Sequence, residues 1–319
     1  MPQLQITPIA AAPARGVARA PLGAGIAPHA DEAVILVPAS AIKRLPGGRI
    51  ILVPPGAGAR LGASQLEERT PSAGERSAAE SALQGAREFF SKLGVGADEG
   101  NDASLNIRYL NNYPNASYSR NASGEEAMNI GINPKTNTSY ALAKDVIAHE
   151  YAHRIVRHIL DQPGVGEAGV VNESLADTFA AAIDTRNWTI GEDAQPKGIR
   201  SMIDPGRVED ELHLTRDQVI RRPDSMDKYL KLSMNTDKGG VHINVGIPNK
   251  AAALIGESLG RDTMAKIYLE AIRSEMPQGG GIRDLAEATA ASASQLFGES
   301  SRQHNAVLDA WSAVGVLQQ

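Results

Sequence analysis

Asp145-Val-Ile-Ala-His149-Glu150-Tyr-Ala-His153, followed beyond a Pro163-Gly164 break by Asn172-Glu173-Ser-Leu-Ala-Asp177, decides the reading of this chain. The two histidines are four positions apart, which puts both imidazoles on one face of a helix within reach of a single ion. Glu150 lies beside them and can act as a general base on water that the ion activates. Two such histidines also occur as an ordinary surface pair, so the third ligand matters. An HExxHxxGxxH continuation is excluded, because Val156 and Ile159 stand where its glycine and histidine would be and His158 is off the spacing. Glu173, on a following helix, can instead complete a His2Glu set and leave one position for water. Asp177, one helical turn on, can hold the ring of a ligand histidine by accepting its other N–H.

Composition sets the frame for that site. With no cysteine among 319 residues, disulfides, thiolate metal sites, iron–sulfur clusters and a cysteine nucleophile are excluded, and any metal must be held by His, Asp or Glu. The 32 Lys and Arg against 37 Asp and Glu leave a net charge of -5, which disfavours the phosphate contacts on which nucleic-acid binding rests. No apolar run approaches the roughly 20 residues that cross a bilayer. With 42% hydrophobic residues, 4% aromatic, 31 Gly and 18 Pro, the core is expected to be Ala, Val, Ile and Leu, connected by many loops.

Outward from His149, the helical pattern runs over 140–160 and stops at Asp161-Gln-Pro-Gly164, and the next helix is expected over 171–185. Upstream, 73–93 is rich in helix formers, with Ala79, Leu83, Ala86, Phe89 and Phe90 at apolar positions, and Leu105, Ile107 and Tyr109 alternate as in a strand. Residues 111–131 read as a polar, turn-rich loop with 128–132 extended. β-Branched runs at 33–38 and 49–54, separated by Pro46-Gly-Gly48, read as a hairpin. The first 30 residues hold nine Ala, five Pro and three Gly, a composition that cannot pack a core, and are expected to be a disordered leader or pro-like segment. Arg15 and Arg19 follow the apolar stretch there rather than precede it, a poor match to a secretory signal. Downstream, helices are expected over 224–232, 245–259, 263–273, 282–297 and 301–314, and the Arg221-Arg222 pair reads as a solvated turn. The domains are accordingly 1–30 for the leader, 31–164 for an N-terminal α/β domain with the HExxH helix, and 165–319 for an α-helical C-terminal domain.

His149-Glu150-x-x-His153 with Asn172-Glu173-x-x-x-Asp177 resembles the thermolysin-like family of zinc metallopeptidases. Further segments are similar to that family and lie in order along the chain: Asn115-Ala116, Arg200-Ser-Met-Ile-Asp-Pro205, and Asp237-Lys-Gly-Gly-Val-His242-Ile-Asn-Val-Gly-Ile-Pro-Asn-Lys250. The resemblance runs from about Ala73 to the C-terminus. It implies an α+β fold, a two-domain zincin whose β-rich N-terminal domain ends in the HExxH helix and whose C-terminal domain is α-helical, with a cleft between them. It also implies a zinc-dependent metalloendopeptidase in which His149, His153 and Glu173 hold Zn2+ and Glu150 is the base. His242, held by Asp237, would support the oxyanion, Arg200 would bind a substrate carbonyl, and Asn115-Ala116 would bond extended peptide backbone. Val146, Ile190 and Ile199 are expected to line the pocket for the residue after the scissile bond, favouring a hydrophobic side chain there. The partner is then a peptide or protein substrate, with no nucleic acid, no membrane and a monomeric chain expected.

Two departures from the family qualify this. Its tyrosine between the ligand helices, which assists the oxyanion, falls at Gly164, and loss of such a donor costs on the order of 10²-fold in rate. Tyr118, on the substrate loop, is a candidate substitute. Asp145, Asp184, Asn187 and Glu192 resemble the family's double-calcium ligands, but the segment is shortened and neutral residues replace two carboxylates, so that a single weak site or none is as open as the full pair. A catalytically weak or inactive member that binds peptides in the cleft is the alternative, motivated by Gly164, although intact Glu150, Asp237 and His242 speak against it. N-x-S/T sequons at Asn115 and Asn172 fall inside the proposed site, where a glycan would obstruct it, so a bacterial or otherwise non-glycosylating origin is expected. The resemblance favours secretion by a route without a signal peptide, with the cytoplasm left open, and resemblance to the family's short-precursor branch would make the first sixty or so residues an inhibitory pro-segment.

Overall fold

Ser72 opens the first long helix, α1 (Ala73–Lys92), through a capping box: its Oγ accepts from Glu75 N (3.2 Å) and Glu75 Oε2 accepts from Ser72 N (2.8 Å). The computed structural model describes residues 71–110, 113–207 and 221–318, together with the backbone of 42–44, 50–52, 212–215 and 218–220. Ala79, Leu83, Ala86 and Phe90 bury the expected face of α1, with Phe89 at its margin. Phe90 meets Tyr151 and Phe179 with ring centroids 5.9 and 5.2 Å apart, so one aromatic cluster ties together three helices.

Strands β1 (Ile42–Arg44) and β2 (Ile50–Leu52) pair antiparallel. The hairpin therefore takes 42–44 as its first strand, whereas 33–38 and the leader 1–30 lie outside the described residues. Strands β3 (Asn106–Tyr109), β4 (Ala116–Arg120) and β5 (Glu126–Ile130) form a sheet in the order β3-β5-β4, with β3 parallel and β4 antiparallel to β5. The loop expected over 111–131 thus contains a strand hairpin. Its polarity hides the strand, because Ala116 and Tyr118 are buried while Ser117 and Ser119 face Asn129, whose Nδ2 donates to both hydroxyls (3.3 and 2.9 Å). Asn121 makes the turn, its Oδ1 accepting from Ser123 N (3.1 Å) and Glu125 N (2.8 Å).

The helix expected over 140–160 is split. A 3-10 turn at Tyr140–Leu142, capped by Ser139 Oγ on Ala141 N (3.2 Å), precedes α2 (Lys144–Ile159), with buried Ala143 extended between them (φ -92°, ψ 100°). Helix α3 (Gly166–Ile183) starts earlier than expected. Glycine is a poor helix former, but a Cβ at Gly169 would lie 2.6 Å from Val241 Cγ1 and 2.7 Å from the Gly164 carbonyl carbon, so this helix start needs glycine for close approach. From Val170 onward α3 is buried on nearly every side, packed among α2, α5 (Gly246–Leu259), α6 (Arg261–Glu270) and α7 (Ile282–Phe297). Helix α4 (Asp237–Asn244), whose first half is non-helical, packs against α3, and α8 (Arg302–Ala313) packs on α5 and α7, Trp311 Nε1 donating to Thr289 Oγ1 (2.8 Å).

Two local expectations are corrected. The helix over 224–232 is only a 3-10 turn at Met226–Lys228, because buried Asn244 pins the segment after it, accepting from Leu230 N (3.0 Å) and donating to Leu230 O (2.9 Å). Arg222 is buried rather than solvated, its Nε donating to the His242 carbonyl (3.0 Å). The short ribbons β6 (Thr189–Ile190) with β7 (Arg200–Ser201) and β8 (Leu212–Thr215) with β9 (Gln218–Ile220) complete a helix-rich α+β fold with small sheets. Among the described residues no helix is long and apolar enough to cross a membrane.

Candidate active site

The packing of α2 on α3 brings the expected ligands together. His149 Nε2 and His153 Nε2 are 3.0 Å apart, and Glu173 offers Oε2 3.5 Å from the first and Oε1 3.6 Å from the second. Ligand atoms held at about 2.0–2.1 Å around one tetrahedral zinc stand about 3.3 Å from one another, so these three side chains fit a His2Glu centre. Burial opposes the charge on Glu173, but the neighbouring rings of His242, His153 and His149 hold its carboxyl well below the usual range.

Asp177 braces this centre from within the protein. It is fully buried and faces His149 Nδ1 at 2.8 Å, while Arg200 Nε and Nη2 donate to its two oxygens at 2.7 Å each and Asn249 Nδ2 donates at 2.7 Å. Burial works against a charged His149 ring, yet the Asp177 carboxylate outweighs it and raises His149 to about 10, and the same carboxylate at Nδ1 leaves Nε2 to face His153 and Glu173. The other ligand ring has its own partner, Asn172 Oδ1, 3.3 Å from His153 Nδ1.

Glu150 is buried beside the ligands, and its Oε2 accepts from the backbone N–H of Tyr118 (2.7 Å) on edge strand β4. Asn115, just before that strand, accepts from Gly131 N (3.0 Å), and Ala116 opens the strand itself. On the far side of the centre, Asp237, Lys238, Gly239 and Gly240 all adopt positive φ (49°, 52°, 93° and 87°). The two glycines take this conformation without steric cost, which makes the left-handed turn feasible despite the strain at Asp237 and Lys238. The turn folds Asp237 back under α4, where Oδ2 accepts from His242 N (2.8 Å) and Ile243 N (3.2 Å) and Oδ1 meets His242 Nδ1 at 2.6 Å. The opposite ring nitrogen, Nε2, then lies 3.5 Å from Glu173 Oε1, and the side chain is 43% exposed. Desolvation opposes charging of this ring, but Glu173 and Asp237 raise His242 to about 9. Val146 and Ile190 are buried and Ile199 half-buried; Val146 lies one helical turn before Glu150, and Ile190 pairs with Arg200 across β6 and β7.

The sequence profile of the "thermolysin metallopeptidase, alpha-helical domain" matches residues 165–316. The chain is 31% identical over 198 residues to a zinc metalloproteinase of Listeria monocytogenes, covering 60% of this chain and 36% of that one. It is 35% identical over 187 residues to bacillolysin of Brevibacillus brevis, covering 54% of this chain and 33% of that one, and so spans about a third of the length of these two relatives. Among solved structures, the precursor of protealysin, a metalloproteinase from Serratia proteamaculans, superimposes with a TM-score of 0.64 at 25% identity, covering 79% of this chain and 81% of that one. Residues 165–316 are a thermolysin-type α-helical metallopeptidase domain, and the chain as a whole is similar to the thermolysin-like metallopeptidases.

Within this thermolysin-like chain, the two departures acquire a geometry. A Cβ at Gly164 would meet nothing within 4 Å, so the position of the family's tyrosine opens onto free space. Tyr118 is no substitute: its side chain is buried and its hydroxyl donates to Glu126 Oε1 (2.6 Å), away from the ligands. The calcium ligands implied by the resemblance are partly assembled, with Asp145, Asp184 and Glu192 in one cluster. Glu192 Oε2 is buried without a hydrogen-bond partner, while the other donor atoms of the set are engaged. Arg186 pairs with Asp184 (2.6 Å) and Asp193 (2.5 Å), Asn187 donates to Glu192 Oε1 (2.7 Å) and accepts from Thr189 N (2.6 Å), and both Asp145 oxygens accept backbone N–H groups of Val146 and Gly191. Burial, with Glu192 and Asp184 nearby, pushes Asp145 up to about 7, which lowers the charge available to a cation further. The set does not fit a calcium pair.

Sequence reasoning named the ligands, the base and the brace, but not Asn172, Asn249 or the Tyr118 N–H. Asn172 carried a signal, since it directly precedes a ligand and can reach the ring of another. Asn249 and a backbone donor on a neighbouring strand carried none.

Proposed function

We propose that the chain is a zinc-dependent metalloendopeptidase that cleaves peptide bonds with a hydrophobic residue after the scissile bond. The observation that carries this reading is the convergence of His149, His153 and Glu173 with Glu150 beside them, in a donor set suited to zinc. Zinc bound there supplies Lewis acidity, polarising water and the substrate carbonyl. Glu150 takes the proton from the attacking water and passes it to the leaving amine. His242, its ring fixed by Asp237 through Nδ1, presents Nε2–H to the carbonyl oxygen as that oxygen gains charge. Arg200, braced by Asp177, and Asn115-Ala116 at the sheet edge align the peptide, so that binding energy is spent on orientation. The aliphatic Val146, Ile190 and Ile199 favour an apolar side chain on the departing side.

Purified protein is expected to cleave an internally quenched peptide with Leu or Phe after the scissile bond, to lose that activity in a strong chelator, and to regain it with stoichiometric zinc. Activity indifferent to the chelator contradicts the proposal. A second reading, a peptide-binding module with little turnover, is favoured by the open Gly164 position. It predicts saturable binding of the same peptide with no cleavage in zinc-loaded protein.

A further inference from the structure

Tyr118 touches the base at one end and, at the other, is linked through Glu126 to the helix carrying that base. Its backbone N–H donates to Glu150 Oε2 (2.7 Å), and its hydroxyl donates to Glu126 Oε1 (2.6 Å) at the start of the neighbouring strand. Glu126 Oε2 accepts from Arg154 Nε (2.7 Å), and Arg154 Nη2 donates in turn to Asp102 Oδ1 (3.1 Å) and Ser104 Oγ (2.8 Å). Arg154 follows Glu150 by one turn on the same face of α2. The contacts therefore close a ring, from the Glu150 carboxylate through Tyr118, Glu126 and Arg154 and back along one helical turn.

The ring lies in the interior, where Tyr118 is 7% and Arg154 2% exposed, so its charge-assisted bonds are strong and geometrically demanding. Strand β4 is an edge strand. Sheet pairing holds one side of it only and leaves its distance from α2 to other contacts. The link from the Tyr118 hydroxyl to Arg154 supplies that contact.

We propose that Tyr118 is a positioning residue for Glu150: its hydroxyl, anchored on Arg154 through Glu126, fixes the edge-strand N–H that orients the base. The inference rests on the peptidase reading for its consequence in turnover, and on the ring of contacts alone for its consequence in structure. Tyr118→Phe keeps the aromatic packing, and Glu126 keeps both Arg154 and His158, whose Nε2 lies 2.8 Å from Oε1. Small misplacements of a reacting group cost about 10- to 100-fold in rate.

The test measures kcat and KM for Tyr118→Phe in the wild-type and in the Glu150→Gln background, and amide hydrogen exchange at residue 118 in the zinc-loaded full chain. The expected result is a fall in kcat of about 10-fold with KM within about twofold, no further fall in the Glu150→Gln background, and exchange at residue 118 faster by about 10-fold. Unchanged kcat with unchanged exchange overturns the proposal. So does an equal fractional loss in both backgrounds, or a rise in KM at constant kcat, which would make Tyr118 a substrate contact independent of the base. Should wild-type protein cleave nothing, the peptidase reading fails by itself, and the exchange rate at residue 118 still decides whether the hydroxyl holds the strand.

Discussion

Glu150→Gln is expected to lower kcat by about 10³-fold or more while leaving zinc content and unfolding temperature near wild type. The substitution preserves volume and an oxygen that can accept the Tyr118 N–H, now made at 2.7 Å, so the local packing has no reason to change. What it removes is the ability to take a proton. Glu150 stands outside the ligand triad, so metal affinity should persist. Proton transfer is made only on the way to the transition state, so the loss should fall on kcat and on kcat/KM equally, with KM little altered. Steady-state kinetics on a quenched peptide, with zinc counted by mass spectrometry on the same preparations, measures both. A variant within tenfold of wild type would assign the base elsewhere.

Asp177→Ala should carry the largest cost in stability. The carboxylate has no solvent exposure and engages the Arg200 guanidinium with both oxygens, together with Asn249 and the His149 ring. Its truncation leaves buried Arg200, a residue only 8% exposed, without its anion. Breaking a buried pair in this way costs about 3–5 kcal/mol, a large part of the roughly 5–15 kcal/mol that holds a domain folded. The expected readout is a fall of about 10 °C in unfolding temperature, accompanied by zinc binding weakened about 10- to 100-fold through the freed His149 ring. Adding Arg200→Leu to Asp177→Ala should recover much of the stability and none of the activity, because the stranded charge is gone but the substrate contact is too. An unfolding temperature unmoved by Asp177→Ala would show that the pair contributes little.

The parts of this site legible in the sequence are those set by helical period. His149 and His153 share a face of α2 because of their spacing, and Glu173 and Asp177 share a face of α3 for the same reason, so each pair could be placed before any fold was known. His242 and Asp237 were legible only through family resemblance, since their geometry depends on four consecutive residues at positive φ, of which only two are glycine. The strand that meets Glu150 was hidden because its polar faces are satisfied by Asn129 rather than by solvent, and alternation of Ala and Tyr with Ser is a weak hydropathy signal. The ring through Glu126 and Arg154 joins residues far apart in sequence, and no local pattern marks it. The helix expected after residue 224 failed for a tertiary reason, the claim of Asn244 on the Leu230 backbone. The sequence left calcium open, and it could not show that Arg186, a cation on the very segment that the resemblance assigns to acidic ligands, pairs with Asp184 and Asp193.

The central claim is that two imidazoles and one carboxylate of this chain hold a zinc ion beside Glu150. Zinc-edge X-ray absorption of the purified, zinc-loaded protein tests it most directly. One zinc per chain is expected, bound by two imidazole nitrogens and by oxygen ligands, all at about 2.0–2.1 Å, with the imidazole signal reduced by half in His153→Ala. A spectrum with one imidazole or none, or one that His153→Ala leaves unchanged, would contradict it.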